Sequence, residues 1–316
     1  MHVHSLLHDF GELTVTGLAQ GAIYALFALG YTMVYGVLRL INFAHSEVFM
    51  VGTFAAVLTW AAFGLDQDSA TPSVGIVLLL LLAGLVAAAL ASGATALVIE
   101  FVAYRPLRRR NAPPLVFLIT AIGASTVISE LVGILTHRRV SGVPPLIRPS
   151  AVLHVGTTVV TNLQLLIVVL AMVMMVALEL IIGKTRLGRG IRAVAQDPDS
   201  AALMGVNKNR VISLVFLAGG LMAGVAAVMY VLKIGDTKYD AGFNLGIKAF
   251  TAAVLGGIGN LRGALIGGLL LGVVENYGSG LFGTQWRDVV AFVVLVLTLL
   301  VRPSGILGDS MGRIRA

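Results

Sequence analysis

The chain has 316 residues, 58% of them hydrophobic against 12% charged, with no cysteine, a net charge of +7 and a mean hydropathy of +0.95. A soluble core with its polar surface cannot accommodate that balance, so a soluble globular domain is excluded. The lack of cysteine removes disulfides and thiolate metal sites and disfavours redox chemistry. The basic residues fall in short loops and at the C-terminus rather than along one long face, which speaks for membrane orientation and against nucleic acid.

At the N-terminus, MHVHSLLHDFGE has neither a basic leading region nor a small-residue cleavage site, so no removable signal peptide is expected. His2, His4 and His8 have the look of a metal cluster, but nothing beside them supplies a scaffold to orient ligands, and no metal site is assigned. Apolar runs of about 20 residues, the length that crosses a bilayer as a helix, then follow near Leu13–Leu38, Phe43–Phe63, Val74–Val102, Pro114–Leu135, Leu163–Ile182 and Val211–Leu232. Three shorter ones lie near Gly246–Gly259, Gly263–Tyr277 and Val289–Val301. Val74–Val102 is longer than a span requires and has room for a break. The expected fold is all-α: a polytopic helical bundle of about eight or nine membrane segments, some short or broken, forming one transmembrane domain over residues 1–316.

Loop charges predict sidedness. Tyr104–Asn111, with four arginines, and Gly183–Arg210 are separated by two spans, so both fall on one side, and the excess of Lys and Arg makes that side cytoplasmic. The tail with Arg302, Arg313 and Arg315 lands there too. The Pro-rich stretch Thr136–Asn162 is left outside, where His137, Arg138 and Arg139 run against the charge bias, as an external loop with its own partner does. Glycines three residues apart, at Gly17 and Gly21, Gly220 and Gly224, Gly263 and Gly267, and Gly268 and Gly272, predict close helix packing.

Polar groups inside apolar flanks mark the candidate pathway. LRLINFAHSEVF carries Asn42, His45, Ser46 and Glu47, and a charge at the bilayer centre costs at least about 2.5–3.5 kcal/mol, so such groups face a cavity or a partner. A tight interfacial turn is the plainer reading; four polar groups in six positions favour a lined cavity. A second candidate is the break at Gly256, Gly257, Gly259 and Asn260, where Gly246–Tyr277 reads as a hairpin of half-helices, because irregular backbone at membrane depth persists only where protein or a watery cavity covers it. Glu100 and Glu179 read as structural. Glu130, and Glu275 with Asn276, read equally as helix glue or pathway lining.

Gly183–Arg210 is a soluble interlude between apolar runs. Asp197 is placed as N-cap, Pro198 at the first helical position, Asp199 in the first turn and Gly205 just past the end, which predicts a helix of about two turns with Ala201, Ala202, Leu203 and Met204 on it. So short a helix does not stand alone in water, and it reads as a docking element, with Arg192 among the surrounding cations. No phosphate-binding loop, zinc-protease motif or nucleophile elbow is present. Acids in the spans are few for an internal ion relay, so the energy for transport is expected from a separate subunit.

Four stretches together, GAIYALFALGYTMVYGVLRLINFAHSEVFMVGTF, IRAVAQDPDSAALMGVN, KAFTAAVLGGIGNLRGALIGG and the terminal RPSGILG, resemble the permease subunit of branched-chain amino acid ABC transporters, the LivH type. The resemblance covers nearly the whole chain. It implies a multi-pass permease of the bacterial inner membrane that takes Leu, Ile or Val and pairs with a second permease of the LivM type, two cytoplasmic ATPases and a periplasmic binding protein. ATP is then used by the partners, and this chain holds no cofactor and no catalytic site. The interlude resembles the coupling loop that engages the ATPase, with Asp199, Ser200, Ala201 and then Gly205 in its pattern; Asp stands for the usual Glu and Ser for the first Ala. Ser46 stands where the family usually has Gly, a change that can retune the pathway. Carriers of urea, short amides or aromatic acids are the nearest alternatives. A proton-coupled amino acid carrier using Glu47 or Glu130, and a membrane scaffold without transport, are rivals of other classes.

Overall fold

The computed structural model describes residues 10–69, 72–155 and 158–308. The three N-terminal histidines and Arg313 and Arg315 lie outside these residues. In chain order the elements are α1 (Phe10–Leu38), α2 (His45–Ala62), α3 (Val74–Ile99), a π turn (Glu100–Tyr104), α4 (Arg105–Arg109), α5 (Pro114–Leu135), β1 (Ser141–Gly142), β2 (Ala151–Val155), β3 (Thr158–Thr161) and α6 (Asn162–Lys184). There follow α7 (Arg186–Gln196), α8 (Pro198–Leu203), α9 (Lys208–Ile234), β4 (Asp236–Thr237), α10 (Ala241–Gly256), α11 (Leu261–Phe282) and, after one 3-10 turn, α12 (Arg287–Val301).

Lipid offers no partner to a backbone N–H or C=O, so apolar runs of this length close their hydrogen bonds within themselves as helices. Among the described residues seven helices are long and apolar enough to cross a membrane. With α2 and the shorter α10 they account for the apolar runs of the sequence, and the chain is a multi-pass membrane protein. Two local expectations are corrected. The long third run does not break: Pro106, which has no N–H to donate, follows a π turn that carries the helix on into α4. Nor is Gly246–Tyr277 a pair of half-helices. Only α10 is short, while α11 has 22 residues, about 33 Å at about 1.5 Å per residue, a full crossing.

The chain forms two compact units. The first gathers Met1–Thr32, Pro149–Ala177 and Ile247–Ala316, the second Met33–Arg148 and Leu178–Gly246. In the first, the glycine ladder of α1 lies on that of α11: a Cβ added at Gly21 would come within 2.5 Å of the Gly268 carbonyl oxygen, and one at Gly272 within 2.3 Å of the Gly21 nitrogen. The β2–β3 hairpin is antiparallel, with His154 opposite Val159.

The second unit is built on α2, α3 and α9. Their contact is polar where it has to be and close where glycine permits. Trp60, fully buried, donates its indole N–H to the Leu80 carbonyl at 2.8 Å, and Ser92 donates to the Val48 carbonyl at 2.9 Å. Gly220 and Gly224 face Ser92 and Ala88. The loop ends of this unit also sort as the charge pattern requires: Arg108 of α4 bonds Asn209 at the start of α9 at 3.0 Å, while β1 pairs with β4 at the other end of α9. The basic loops of the second unit therefore share one end.

A Cβ at Gly224 would sit 2.5 Å from the Ala88 carbonyl oxygen, whereas one at Gly75 would meet nothing within 4 Å. Gly224→Val is therefore expected to lose about 1–3 kcal/mol through overpacking, read as a lowered melting midpoint in detergent, and Gly75→Ala to leave that midpoint unchanged or raised.

Candidate functional site

The first candidate cluster lies at the start of α2, in the second unit. Asn42, His45, Ser46 and Glu47 are all buried, at 2–4% exposure, so the segment is an interior turn and not a water-facing one. Asn42 organises it. Its side-chain oxygen accepts from the Ala44 N–H at 3.1 Å and from the Tyr104 hydroxyl at 3.0 Å, which fastens the turn to the end of the π turn. Ser46 is helical and its hydroxyl donates to the Phe43 carbonyl at 2.5 Å; it adopts no backbone conformation that calls for glycine. Glu47 accepts from the Ser125 hydroxyl at 3.0 Å. Ser125 stands near the middle of α5, so Glu47 is deep between the two ends of that span.

The second predicted cluster is in the first unit, and its groups are consumed by capping and packing. Gly256 presses on the Gly263 carbonyl, Gly257 has φ +108° and Gly259 φ +98°, and Asn260 caps α11 by accepting from the Gly263 N–H at 3.1 Å. The same turn is latched to the chain end: the Asn260 side-chain N–H donates to the Leu307 carbonyl at 2.8 Å, and Ile306 N–H to that of Leu255 at 2.8 Å. RPSGILG is thus a strap across this turn.

The remaining span acids divide clearly. Glu130 is exposed and pairs with Arg138 at 2.6 Å, with side chains 47% and 57% exposed, a kind of pair worth little. Glu275, 1% exposed, lies 2.7 Å from Lys248 and 3.4 Å from Arg287, while Lys248 also meets Asp288 at 2.7 Å. Asn276 donates to the Leu13 carbonyl at 2.6 Å and accepts from Arg287 at 3.1 Å. Glu275 and Asn276 are glue between α1, α10, α11 and α12. Lys248, the lone cation in an otherwise apolar helix, was the sequence signal for it.

Glu100 has no exposure and holds the basic end of the second unit together. Arg105 approaches its two oxygens at 3.2 and 3.0 Å, Arg108 at 2.9 Å, and the Ser213 hydroxyl of α9 at 3.2 Å. From there the chain runs back through α8. Thr185 caps α7, an amphipathic helix that buries Gly188, Ile191 and Val194, and that charge density alone did not announce. Asp197 then caps α8, accepting from the Asp199 N–H at 2.9 Å and the Ser200 N–H at 3.2 Å, with the Ser200 hydroxyl at 2.5 Å. Pro198 is in the first turn and Gly205 ends the helix at φ +85°, as the sequence predicts.

Burial assigns the faces of α8. Ala201 is 5% exposed and turns inward, while Leu203 and Met204 are 88% and 85% exposed. Ala202 and Gly205 are exposed beside them. Arg192 donates to the Ile182 carbonyl at the end of α6, so it closes a helix end. The apolar pair, not Ala201 or Arg192, is the face α8 presents outward.

Residues 13–299 match the family model described as "Branched-chain amino acid transport system / permease component". The chain belongs to this family. It is 43% identical over 308 residues to the high-affinity branched-chain amino acid transport system permease protein BraD of Pseudomonas aeruginosa, covering 96% of this chain and 97% of that one. It is 42% identical over 305 residues to LivH of Escherichia coli and 41% identical over 305 to LivH of Salmonella typhimurium, each covering 95% of this chain and 96% of the relative. A permease component is a transport subunit, which agrees with a chain whose buried polar groups hold helices together.

Two outcomes are expected. Glu100→Ala strands two partly buried guanidinium groups and should cost about 3–5 kcal/mol, measured as loss of melting midpoint in detergent. The hydroxyl of Ser200, then the N–H groups of Ser200 and Asp199, hold the Asp197 carboxyl below its usual pKa. The cap is then fully present above the ordinary aspartate range and lost as pH falls through the lower folded value, which a carbon-detected titration of Asp197 with amide exchange at Asp199 and Ser200 would read.

Proposed function

We infer that this chain is a transmembrane permease subunit of an ATP-driven importer for branched-chain amino acids, residing in a bacterial inner membrane. The observation that carries the reading is α8: a fully capped helix too short to be stable alone, offering Leu203 and Met204 to a partner at the basic end of the second unit. Family membership over residues 13–299 and the names of relatives 41–43% identical over nearly their whole length supply the cargo. The partners are a second permease of the LivM type, two cytoplasmic ATPases that bind and use the ATP, and a periplasmic binding protein. Residues 183–210 are the coupling segment of a single permease domain, with Asp197, Pro198, Asp199 and Gly205 shaping α8, Ala201 seating it and Ala202, Leu203 and Met204 meeting the ATPase. Asn42, His45, Ser46 and Glu47 line the cargo pathway.

The test is uptake in proteoliposomes holding this chain, its permease partner, the ATPases and the binding protein. Leu, Ile or Val should accumulate only with ATP inside and all partners present. Leu203→Asp with Met204→Asp should abolish accumulation by at least about tenfold, since two apolar anchors of an interface are removed, while the permease stays in the membrane. Uptake that persists without ATPases and collapses with the proton gradient would instead select a secondary carrier.

A further inference from the structure

After α9 the chain turns at Gly235, φ +88°, pairs briefly as β4 with β1, and then runs back along the bundle instead of leaving it. Thr237 is 1% exposed and shares a hydrogen bond of 2.7 Å with Thr53 in the body of α2. The Tyr239 carbonyl accepts from the Ser129 hydroxyl at 3.2 Å. Ser129 lies four residues from Ser125, on the same face of α5, one turn from the hydroxyl that bonds Glu47. At the far end of this segment Gly242 rests on the first turn of α2, where an added Cβ would come within 2.2 Å of the Ser46 carbonyl oxygen. The chain at Asp240, between these two anchors, is thereby held near the first turn of α2, the turn that carries Glu47.

Each of the two acids carries a buried oxygen without a hydrogen-bond partner. Glu47 is 2% exposed; one oxygen is held by Ser125 and the other, Oε2, has no hydrogen-bond partner. Asp240 has one oxygen 3.2 Å from the Lys238 ammonium, while Oδ1 is buried and without a partner. The Asp240 and Lys238 side chains are themselves 45% and 51% exposed, so the cluster is open on one side. A buried carboxylate oxygen left unmet is costly; every side of Glu100 has a donor, and Glu275, whose Oε2 is also unmet, is at least paired with Lys248 and Arg287, whereas among the described residues Glu47 has no ion pair. Glu47 and Asp240 carry two negative charges against the one Lys238 ammonium paired with Asp240, which leaves room for one more positive group with several N–H bonds to give, while the exposed face of Lys238 is open to a negative one.

We propose that Glu47, Asp240 and Lys238 form a site for the zwitterionic head of an α-amino acid, Glu47 and Asp240 taking its ammonium and Lys238 its carboxylate. This rests on the importer reading above and gives the cluster at the start of α2 its ligand chemistry. The ammonium has three donors for the two unmet oxygens, and a charge-assisted pair at this depth is stronger than in water. Recognition of the head group leaves the side chain of the cargo unread by these three residues.

The test uses the complete assembly in proteoliposomes at saturating binding protein and reads leucine accumulated per ATP hydrolysed. Glu47→Gln and Asp240→Asn should each lower that ratio about tenfold, the loss expected when one charge-assisted hydrogen bond goes, and Lys238→Met should lower it comparably. A fault of folding alone would depress uptake and hydrolysis together and keep the ratio, which would overturn the assignment; Asp240→Asn, at a half-exposed position, guards against a Glu47 variant that does not assemble. Ratios equal to wild type in both acid variants overturn it as well. A wild-type ratio that falls when choline replaces sodium, with no such response in Glu47→Gln, would assign the oxygens to an inorganic cation and overturn it too. If the wild-type assembly accumulates no amino acid, the importer reading falls and takes this one with it; if wild type transports and the variants match it, this one falls alone.

Discussion

Glu100 sits in the interior of a membrane protein with no solvent exposure, and a carboxylate so placed is kept only if its charge is met from several sides. Two arginines and a serine meet it. The consequence is geometric more than energetic. Because Arg105 and Arg108 must fold back over the π turn, the helix end there is pinned, and because Ser213 and Asn209 belong to α9, the start of α9 is pinned to it. Tyr104, four residues on, then reaches Asn42 and sets the turn from which α2 begins. One buried charge thus fixes the spacing between the segment carrying α8 and the turn that presents Glu47.

The helices were legible because bilayer length and internal hydrogen bonding leave a long apolar run few alternatives. The glycine spacing was legible too: Gly21 and Gly272, and Gly220 and Gly224, do bring backbones together as that spacing implies. Capping chemistry carried through at Asp197, Pro198 and Gly205, since a cap is a local bargain between one side chain and the N–H groups next to it.

What the sequence hid was direction and distance. Ala201 and Leu203 both look apolar in a string, and only the path of α7 and α9 decides that the first turns inward and the second outward. Arg192 reads as one surface cation among several, yet it answers a carbonyl at the end of α6 that no spacing rule connects to it. The Gly256–Asn260 turn looked like pathway backbone because the strap that holds it is far along the chain, with Leu307 lying 47 residues from Asn260. Asp240 and Lys238 fall between the apolar runs Val211–Leu232 and Gly246–Gly259, where no pattern marks them. Their meaning depends on a segment that returns along the bundle, and returning is a property of its anchors, Thr53 and Ser129, on other helices.

The anchors of that segment differ in kind from those of Glu100. Between Gly235 and Ala241 the chain is held by a two-residue strand pairing and by neutral hydroxyl bonds to Thr53 and Ser129. Such bonds are individually worth about 0.5–1.5 kcal/mol, whereas the Glu100 cluster is charge-assisted throughout. Local opening follows the weaker set first. Within the second unit, then, the joint at the start of α9 is stiff, while the part best able to yield is the segment between Gly235 and Ala241. That division suits the importer reading proposed above, which asks for a rigid member to transmit a stroke and a member that can give way when it arrives.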